Sequence, residues 1–201
     1  LGELRCVACH ADEHSQGLHR PGTPDLASVG QRVSPEYMHR FLANPPSVHP
    51  GVKMPDVLSG QSKARRSEVA EALSHFMVSL TVKSFAGWKP GIGDAMAGRS
   101  LFHEIGCVAC HAPSDGQGRE VAGGSQLSLA HVPAKYGHES LAEFLFNPHR
   151  TRPSGRMPDF HLVQDESKNL AEYLMGGQPA PARPFKVDAG LADKGKAYFR
   201  E

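Results

Sequence analysis

Two pentapeptides of identical sequence each place a histidine directly after a pair of cysteines. They are Cys6-Val7-Ala8-Cys9-His10 and Cys107-Val108-Ala109-Cys110-His111, and they hold all 4 cysteines of the 201-residue chain. Two thiols with two residues between them can ligate a metal ion, form a redox-active disulfide or anchor a prosthetic group covalently. The residues around each pair decide among these uses.

The spacing of the pairs and the histidine that follows favour covalent attachment. Zinc sites with two such pairs keep them roughly 15–20 residues apart, whereas Cys9 and Cys107 lie far beyond that range. A thioredoxin-like redox pair needs a βαβ setting, and no segment shows the two-residue alternation of a strand. The order Cys-x-x-Cys-His is typical of c-type haem attachment, with thioether bonds from both cysteines and iron ligation by His10 or His111. We therefore predict two haem c groups.

Composition excludes several other classes of protein. The chain has 22 Lys and Arg residues against 21 Asp and Glu, so its net charge of +1 does not favour nucleic acid or an anionic membrane surface. No apolar stretch approaches the roughly 18 residues that span a bilayer, and we expect no transmembrane segment. With 4 cysteines in 201 residues, the chain has too few for a disulfide scaffold.

The cysteine motifs belong to a longer internal repeat. The second copy aligns Phe144-Leu145 with Phe41-Leu42, Asn147-Pro148 with Asn44-Pro45, and Met157-Pro158-Asp159 with Met54-Pro55-Asp56. Repeats of this kind are the mark of two copies of one structural unit.

Each copy is predicted to consist of helices joined by irregular loops. Ser34-Pro35-Glu36 combines an N-cap, a proline at the first helical position and an early acid, and Asn44-Pro45 ends this helix. Apolar residues recur at helical spacing over 62–80, and the matching helix of the second copy ends at Gly176-Gly177. No stretch alternates like a strand, so we predict an all-α fold.

Segments rich in glycine and proline divide the chain. We expect the first unit at 1–80, a linker at 81–93, the second unit at 94–176, and at 177–201 a linker with the start of a third unit. The third unit is expected because residues 195–201 align with the helix that precedes Cys107, for which the first copy has no room. The chain is then a segment of a longer protein, and we hypothesise that residues 191–201 of a neighbouring molecule complete the first unit.

A methionine after each histidine is the candidate second axial ligand. Met54 and Met157 both lie in a basic-Met-Pro-Asp sequence within a polar loop, unlike Met38 and Met77, whose helical spacing among apolar residues is typical of a core. A thioether opposite histidine closes the iron to other ligands and favours electron transfer. Bis-histidine ligation stays open as an alternative, with candidates near the methionine loops at His49, His149 and His161.

The sequence resembles class I c-type cytochromes in two tandem copies. The residues that carry the resemblance are Cys6, Cys9, His10, Thr23-Pro24-Asp25-Leu26 and Met54 in the first copy, and Cys107, Cys110, His111 and Met157 in the second. The Asn-Pro and Met-Pro-Asp pattern is similar to that of cytochrome c domains in large planctomycete-type multidomain proteins. The resemblance implies that the Pro24 carbonyl accepts a hydrogen bond from the proximal His10, whereas the second copy has Leu127 at that place. Lys53 and Arg156 precede the methionines and are candidates to pair with haem propionates, with a solvated charge as the alternative.

These features predict an electron carrier rather than an enzyme. The expected partners are redox proteins or other domains of the same parent chain. The alternatives are a dihaem peroxidase-like enzyme in which one iron opens to peroxide, and a sensor in which methionine loss carries the signal. The family resemblance also implies a periplasmic or otherwise extracytoplasmic location, because c-type haem is attached there.

Overall fold

The structure is a computed structural model of the chain, and its described residues fall into two units. It describes residues 4, 6–10, 23–24, 26–49, 51–80, 91–115, 119–121, 126–152, 155–178 and 185–200. Unit 1 comprises residues 1–83, 152–154 and 182–201, and unit 2 comprises residues 84–151 and 155–181. The regular elements found among the described residues are α-helices and 3₁₀ turns. The β-pairs found among these residues are isolated bridges. The predicted helical class is therefore confirmed for this part of the chain.

The two units are built from matching elements, with the helices numbered in chain order. Unit 1 contains a 3₁₀ turn at Cys6–Ala8, followed by α1 (Val29–Arg32), α2 (Pro35–Ala43), α3 (Pro45–Val48), α4 (Lys63–Ser79) and α10 (Ala189–Arg200). Unit 2 contains α5 (Ala95–Glu104), a 3₁₀ turn at Cys107–Ala109, α6 (Val132–Lys135), α7 (His138–Phe146), α8 (Pro148–Thr151) and α9 (Gln164–Met175). Most of the predicted linker at 81–93 lies outside the described residues.

Helix α2 begins and ends where its sequence predicts. The Ser34 hydroxyl accepts a hydrogen bond from the Tyr37 backbone N–H at 3.1 Å, and Pro35 occupies the first helical position. Asn44 ends the helix, and its side chain accepts from the Ser47 N–H to start α3. Capping of this kind satisfies backbone groups that a helix end leaves unpaired. The helix buries Tyr37 and Met38 in the core of unit 1, which agrees with a packing role for Met38.

The closest helix contact of unit 2 forms at a glycine of α5. A Cβ atom on Gly98 would lie 1.9 Å from the Asn169 carbonyl oxygen of α9, so no larger residue fits without separating the two helices. One turn further along α5, Phe102 packs against Tyr173 with ring centroids 5.3 Å apart. Helix α9 then ends at Gly176, whose φ of 58° is left-handed. The end of α9 at Gly176 confirms the sequence prediction.

Helix α10 makes the equivalent contact in unit 1. A Cβ atom on Gly195 would lie 2.0 Å from the Ala72 carbonyl oxygen of α4, and Phe199 packs against Phe76 with ring centroids 5.5 Å apart. The structure packs this helix on α4 of its own chain, and its buried stripe of Ala192, Gly195 and Phe199 makes the contact. The third unit expected to start here stays a prediction.

Candidate functional site

The same tight turn forms around both cysteine pairs. The backbone N–H of His10 donates to the Cys6 carbonyl at 2.8 Å, and that of His111 donates to the Cys107 carbonyl at 2.9 Å. In unit 2, Gly106 connects α5 to this turn with a left-handed φ of 85°. The turn brings two thiols and an imidazole together within five consecutive residues in each unit.

The environment of the thiols differs from that of a reactive or metal-binding cysteine. Burial raises the pKa of the Cys6 thiol to about 11, and burial also raises the pKa of Cys107. Reactive and zinc-binding cysteines need the opposite, a lowered pKa that favours the thiolate. None of the four cysteines, all of which the structure describes, is in a disulfide, and the described residues contain no group of three or more His, Cys, Asp or Glu arranged to hold a metal ion.

The surroundings of His10 keep its imidazole in one orientation. The ring Nδ1–H donates to the Pro24 carbonyl at 3.3 Å. The Thr23 hydroxyl donates to the Cys9 carbonyl at 2.7 Å, so the same segment also holds the end of the cysteine turn. The orientation leaves Nε2 as the nitrogen available to a metal.

The surroundings of His111 are arranged differently. Leu127 forms a parallel bridge to His111, in which its N–H donates to the Cys110 carbonyl at 2.8 Å and its carbonyl accepts from the Ala112 N–H at 3.2 Å. Nδ1 of His111 is buried and has no hydrogen-bond partner among the residues that the structure describes. Burial lowers the pKa of His111, and the nearby Leu127 backbone opposes this lowering. The Leu127 backbone nevertheless does not form a hydrogen bond with Nδ1.

Both sites offer what a covalently attached haem requires. Cys6 and Val7 pack against the core of unit 1, and Cys107 packs against the core of unit 2, so the first thiol of each pair lies at the edge of an apolar interior. Close to His111, the Leu127 side chain is 58% exposed, which leaves apolar surface beside the imidazole. Two thiols, an imidazole and apolar surface fit a porphyrin better than a bare metal ion.

An aspartate orders the loop after each candidate methionine ligand. The Asp56 carboxylate accepts from the Leu58 N–H at 3.2 Å, and Asp159 accepts from the His161 N–H at 2.8 Å. Met54 and Met157 are both half-buried, and Met157 packs against the core of unit 2. The repeated Met-Pro-Asp sequence is thus a repeated turn.

Two residues that position these loops were not predicted from the sequence. Nε2–H of His149 donates to the Met157 carbonyl at 2.9 Å, and the Arg66 guanidinium binds the Asp56 carboxylate at 2.5 Å. Neither residue recurs in the other copy, so the repeat gave no indication of them. The His149 contact is with the backbone of Met157, which is a positioning role and differs from the iron ligation considered above.

The remaining candidates lie at the surface. Lys53 and Arg156 are both exposed, and a pairing with haem propionates stays a prediction. The His161 side chain is 88% exposed on a residue with a φ of 53°. His49 is half-buried.

Among the described helices, none combines the length and the apolar content that a bilayer-spanning segment requires.

Comparison with known proteins shows which family part of the chain is similar to. Residues 95–178 match the family model described as Cytochrome c, a range that runs from α5 to just beyond α9 and includes the second cysteine turn and Met157. This region is therefore similar to cytochrome c domains, which carry covalently bound haem c. A search of curated proteins and a search of solved structures each gave no match.

Proposed function

We propose that the chain is an electron-transfer module with two haem c groups, one in each unit, and histidine and methionine as axial ligands. Unit 1 would hold its haem through Cys6, Cys9, His10 and Met54. Unit 2 would use Cys107, Cys110, His111 and Met157. Haem supplies a one-electron couple when bound, while the chain holds the iron ligands in both oxidation states and excludes water from the metal.

The observation that carries this proposal is the correspondence between the two units. Unit 2 matches the cytochrome c family, and unit 1 has the same cysteine turn and the same glycine-centred helix contact, at Gly195 instead of Gly98. In unit 1 the helix equivalent to α5 follows the cysteine pair along the chain instead of preceding it.

The electron partners follow from the same reasoning. A closed iron with two protein ligands needs no substrate pocket, so its partners are redox proteins or other domains of the parent chain. The near-neutral charge of +1 argues against recognition by strong electrostatic attraction. Because c-type haem is attached outside the cytoplasm, the proposal includes a periplasmic or otherwise extracytoplasmic location.

The number of haems is the first test of the proposal. The intact protein, matured in a host that attaches c-type haem, is expected to carry two haems by mass spectrometry and by its reduced absorption spectrum. The double variant C107S/C110S is expected to retain one haem, and C6S/C9S the other. The exposed pair of substitutions S59A/S128A serves as a control and should retain both. A wild-type mass with one haem or none would overturn the two-haem proposal.

The methionine ligands are tested separately. Met54→Ala and Met157→Ala are each expected to remove the sulfur-to-iron charge-transfer band of one oxidised haem, because the other methionines that follow each histidine within its unit, Met38, Met77 and Met175, are buried in the cores. Met77→Leu changes a buried core methionine and should leave both bands in place. A wild-type protein without the sulfur-to-iron band of the unit 2 haem, combined with loss of the low-spin spectrum of that haem in H149Q, would identify His149 as a ligand instead. Carbon monoxide binding to the reduced wild-type protein would contradict two closed sites.

A further inference from the structure

The two units satisfy the same backbone carbonyl with different donors. In unit 1 the residue after Thr23 is proline, which has no N–H, and the Thr23 hydroxyl donates to the Cys9 carbonyl at 2.7 Å. In unit 2 the corresponding residue is Leu127, whose own N–H donates to the Cys110 carbonyl at 2.8 Å. One substitution in the repeat, proline for leucine, decides which donor is used.

The choice of donor determines which group the carbonyl of Pro24 or Leu127 accepts a hydrogen bond from. Because its N–H binds Cys110, Leu127 is held in the bridge to His111, and its carbonyl accepts from the Ala112 N–H at 3.2 Å. Pro24 cannot form that bridge, and its carbonyl lies 3.3 Å from Nδ1 of His10. His10 therefore has an acceptor for its ring N–H, whereas Nδ1 of His111 is buried with no partner in the described part of the chain.

This difference acts on the iron through the ligand. An imidazole that donates its Nδ1–H to an acceptor is a stronger base at its other nitrogen. A more basic ligand stabilises the oxidised iron relative to the reduced iron, and hydrogen bonding around a haem is one of the means by which a protein sets its potential. A proximal histidine with no acceptor leaves the oxidised iron less stabilised.

We propose that Thr23-Pro24 and Gln126-Leu127 act as positioning residues that give the two haems different reduction potentials, with the His10 site lower than the His111 site. The inference rests on the proposed function, since it requires a haem in each unit. At equilibrium, one electron shared by the two sites then resides mainly at the His111 site. The iron at the His10 site is oxidised by one electron while the iron at the His111 site is reduced by one electron.

A redox titration of the full chain with both haems attached tests this inference. The wild-type protein is expected to show two resolved one-electron steps whose equilibrium constant favours reduction of the His111 site by about tenfold, which is about 59 mV for one electron. Gln126→Thr combined with Leu127→Pro gives unit 2 the arrangement of unit 1 and is expected to lower its potential until the two steps merge. Ser128→Ala changes the neighbouring exposed residue and should leave the separation unchanged.

The reciprocal variant keeps the test decisive if proline disturbs the folding of unit 2. Thr23→Gln combined with Pro24→Leu is expected to raise the potential of the His10 site. Exchange of the imidazole Nδ1–H with solvent, followed by NMR, is a readout independent of potential and is expected to be slower at His10 than at His111. Two haems with a single potential, or a separation that neither double variant changes, would overturn this inference and leave the proposed function intact. A mass with fewer than two haems would overturn the proposed function itself.

Discussion

Gly195→Val is expected to destabilise unit 1 by roughly 3 kcal/mol or more while leaving unit 2 unchanged. The Cβ atom that valine adds would lie 2.0 Å from the Ala72 carbonyl oxygen and 2.8 Å from Cβ of Phe76. The first of these neighbours is backbone within α4, so relief requires α10 to move away. That movement would expose the interface of Phe199 with Phe76.

Gly98→Val provides the matched variant in unit 2. Its Cβ would lie 1.9 Å from the Asn169 carbonyl oxygen of α9, so we expect a loss of similar size confined to unit 2. Gly190→Ala is the control within α10, because its Cβ would meet only the Asp188 side chain at 3.3 Å. Alanine is favoured over glycine in a helix by about 1 kcal/mol, so this control should be neutral or slightly stabilising.

Hydrogen exchange resolved by peptide measures the two units separately. Gly195→Val should accelerate exchange in α4 and leave α9 protected, and Gly98→Val should do the reverse. Equal protection of α4 in Gly195→Val and in the wild type would mean that α10 does not pack on α4 in solution. An oligomer that appears only in Gly195→Val would indicate that α10 had been displaced into a neighbouring molecule.

The elements that the sequence predicted correctly are those fixed by local interactions. The start of α2 depends on Ser34 and Pro35, which are adjacent, and the end of α9 depends on Gly176, which is the residue that adopts the left-handed conformation. Each of these depends on residues within one turn of the feature.

The features that the sequence did not predict depend on contacts between distant segments. The sequence of residues 195–201 shows that they correspond to α5 of unit 2. It does not show which unit the resulting helix packs against. Arg66 and His149 each bind a loop in only one of the two units, so comparison of the copies gave no reason to select them. Alignment of the two copies showed that Leu127 occupies the place of Pro24. The structure adds that the Leu127 carbonyl accepts a hydrogen bond from the Ala112 N–H.

Arg66→Met is expected to destabilise unit 1 by about 2–3 kcal/mol, because it removes two charge-assisted hydrogen bonds. The guanidinium donates to the Ala43 carbonyl at 2.6 Å and to the Asp56 carboxylate at 2.5 Å. It thereby joins the end of α2 and the loop after Met54 to α4. The side chains of Arg66 and Asp56 are only 17% and 21% exposed, so water replaces these bonds incompletely.

The loss of Arg66 should also reach the iron in unit 1. With Asp56 left with its contacts to the Leu58 and Ser59 N–H groups, the Met54 loop is expected to open before the rest of the unit unfolds. In the haem-loaded protein, the charge-transfer band of the unit 1 haem should therefore disappear at a lower urea concentration than in the wild type. The corresponding band of unit 2 should disappear at its usual concentration, because Asp159 is held by a separate turn.

Two comparisons identify the bond to Asp56 as the cause. Lys63→Met removes an exposed positive charge from the start of α4 and should cost less than about 1 kcal/mol. Asp56→Asn removes the partner, and its combination with Arg66→Met should cost less than the sum of the single variants, because both remove the same interaction. If Arg66→Met costs no more than Lys63→Met, the guanidinium does not hold the Met54 loop. Strictly additive losses would assign its role to the Ala43 carbonyl alone.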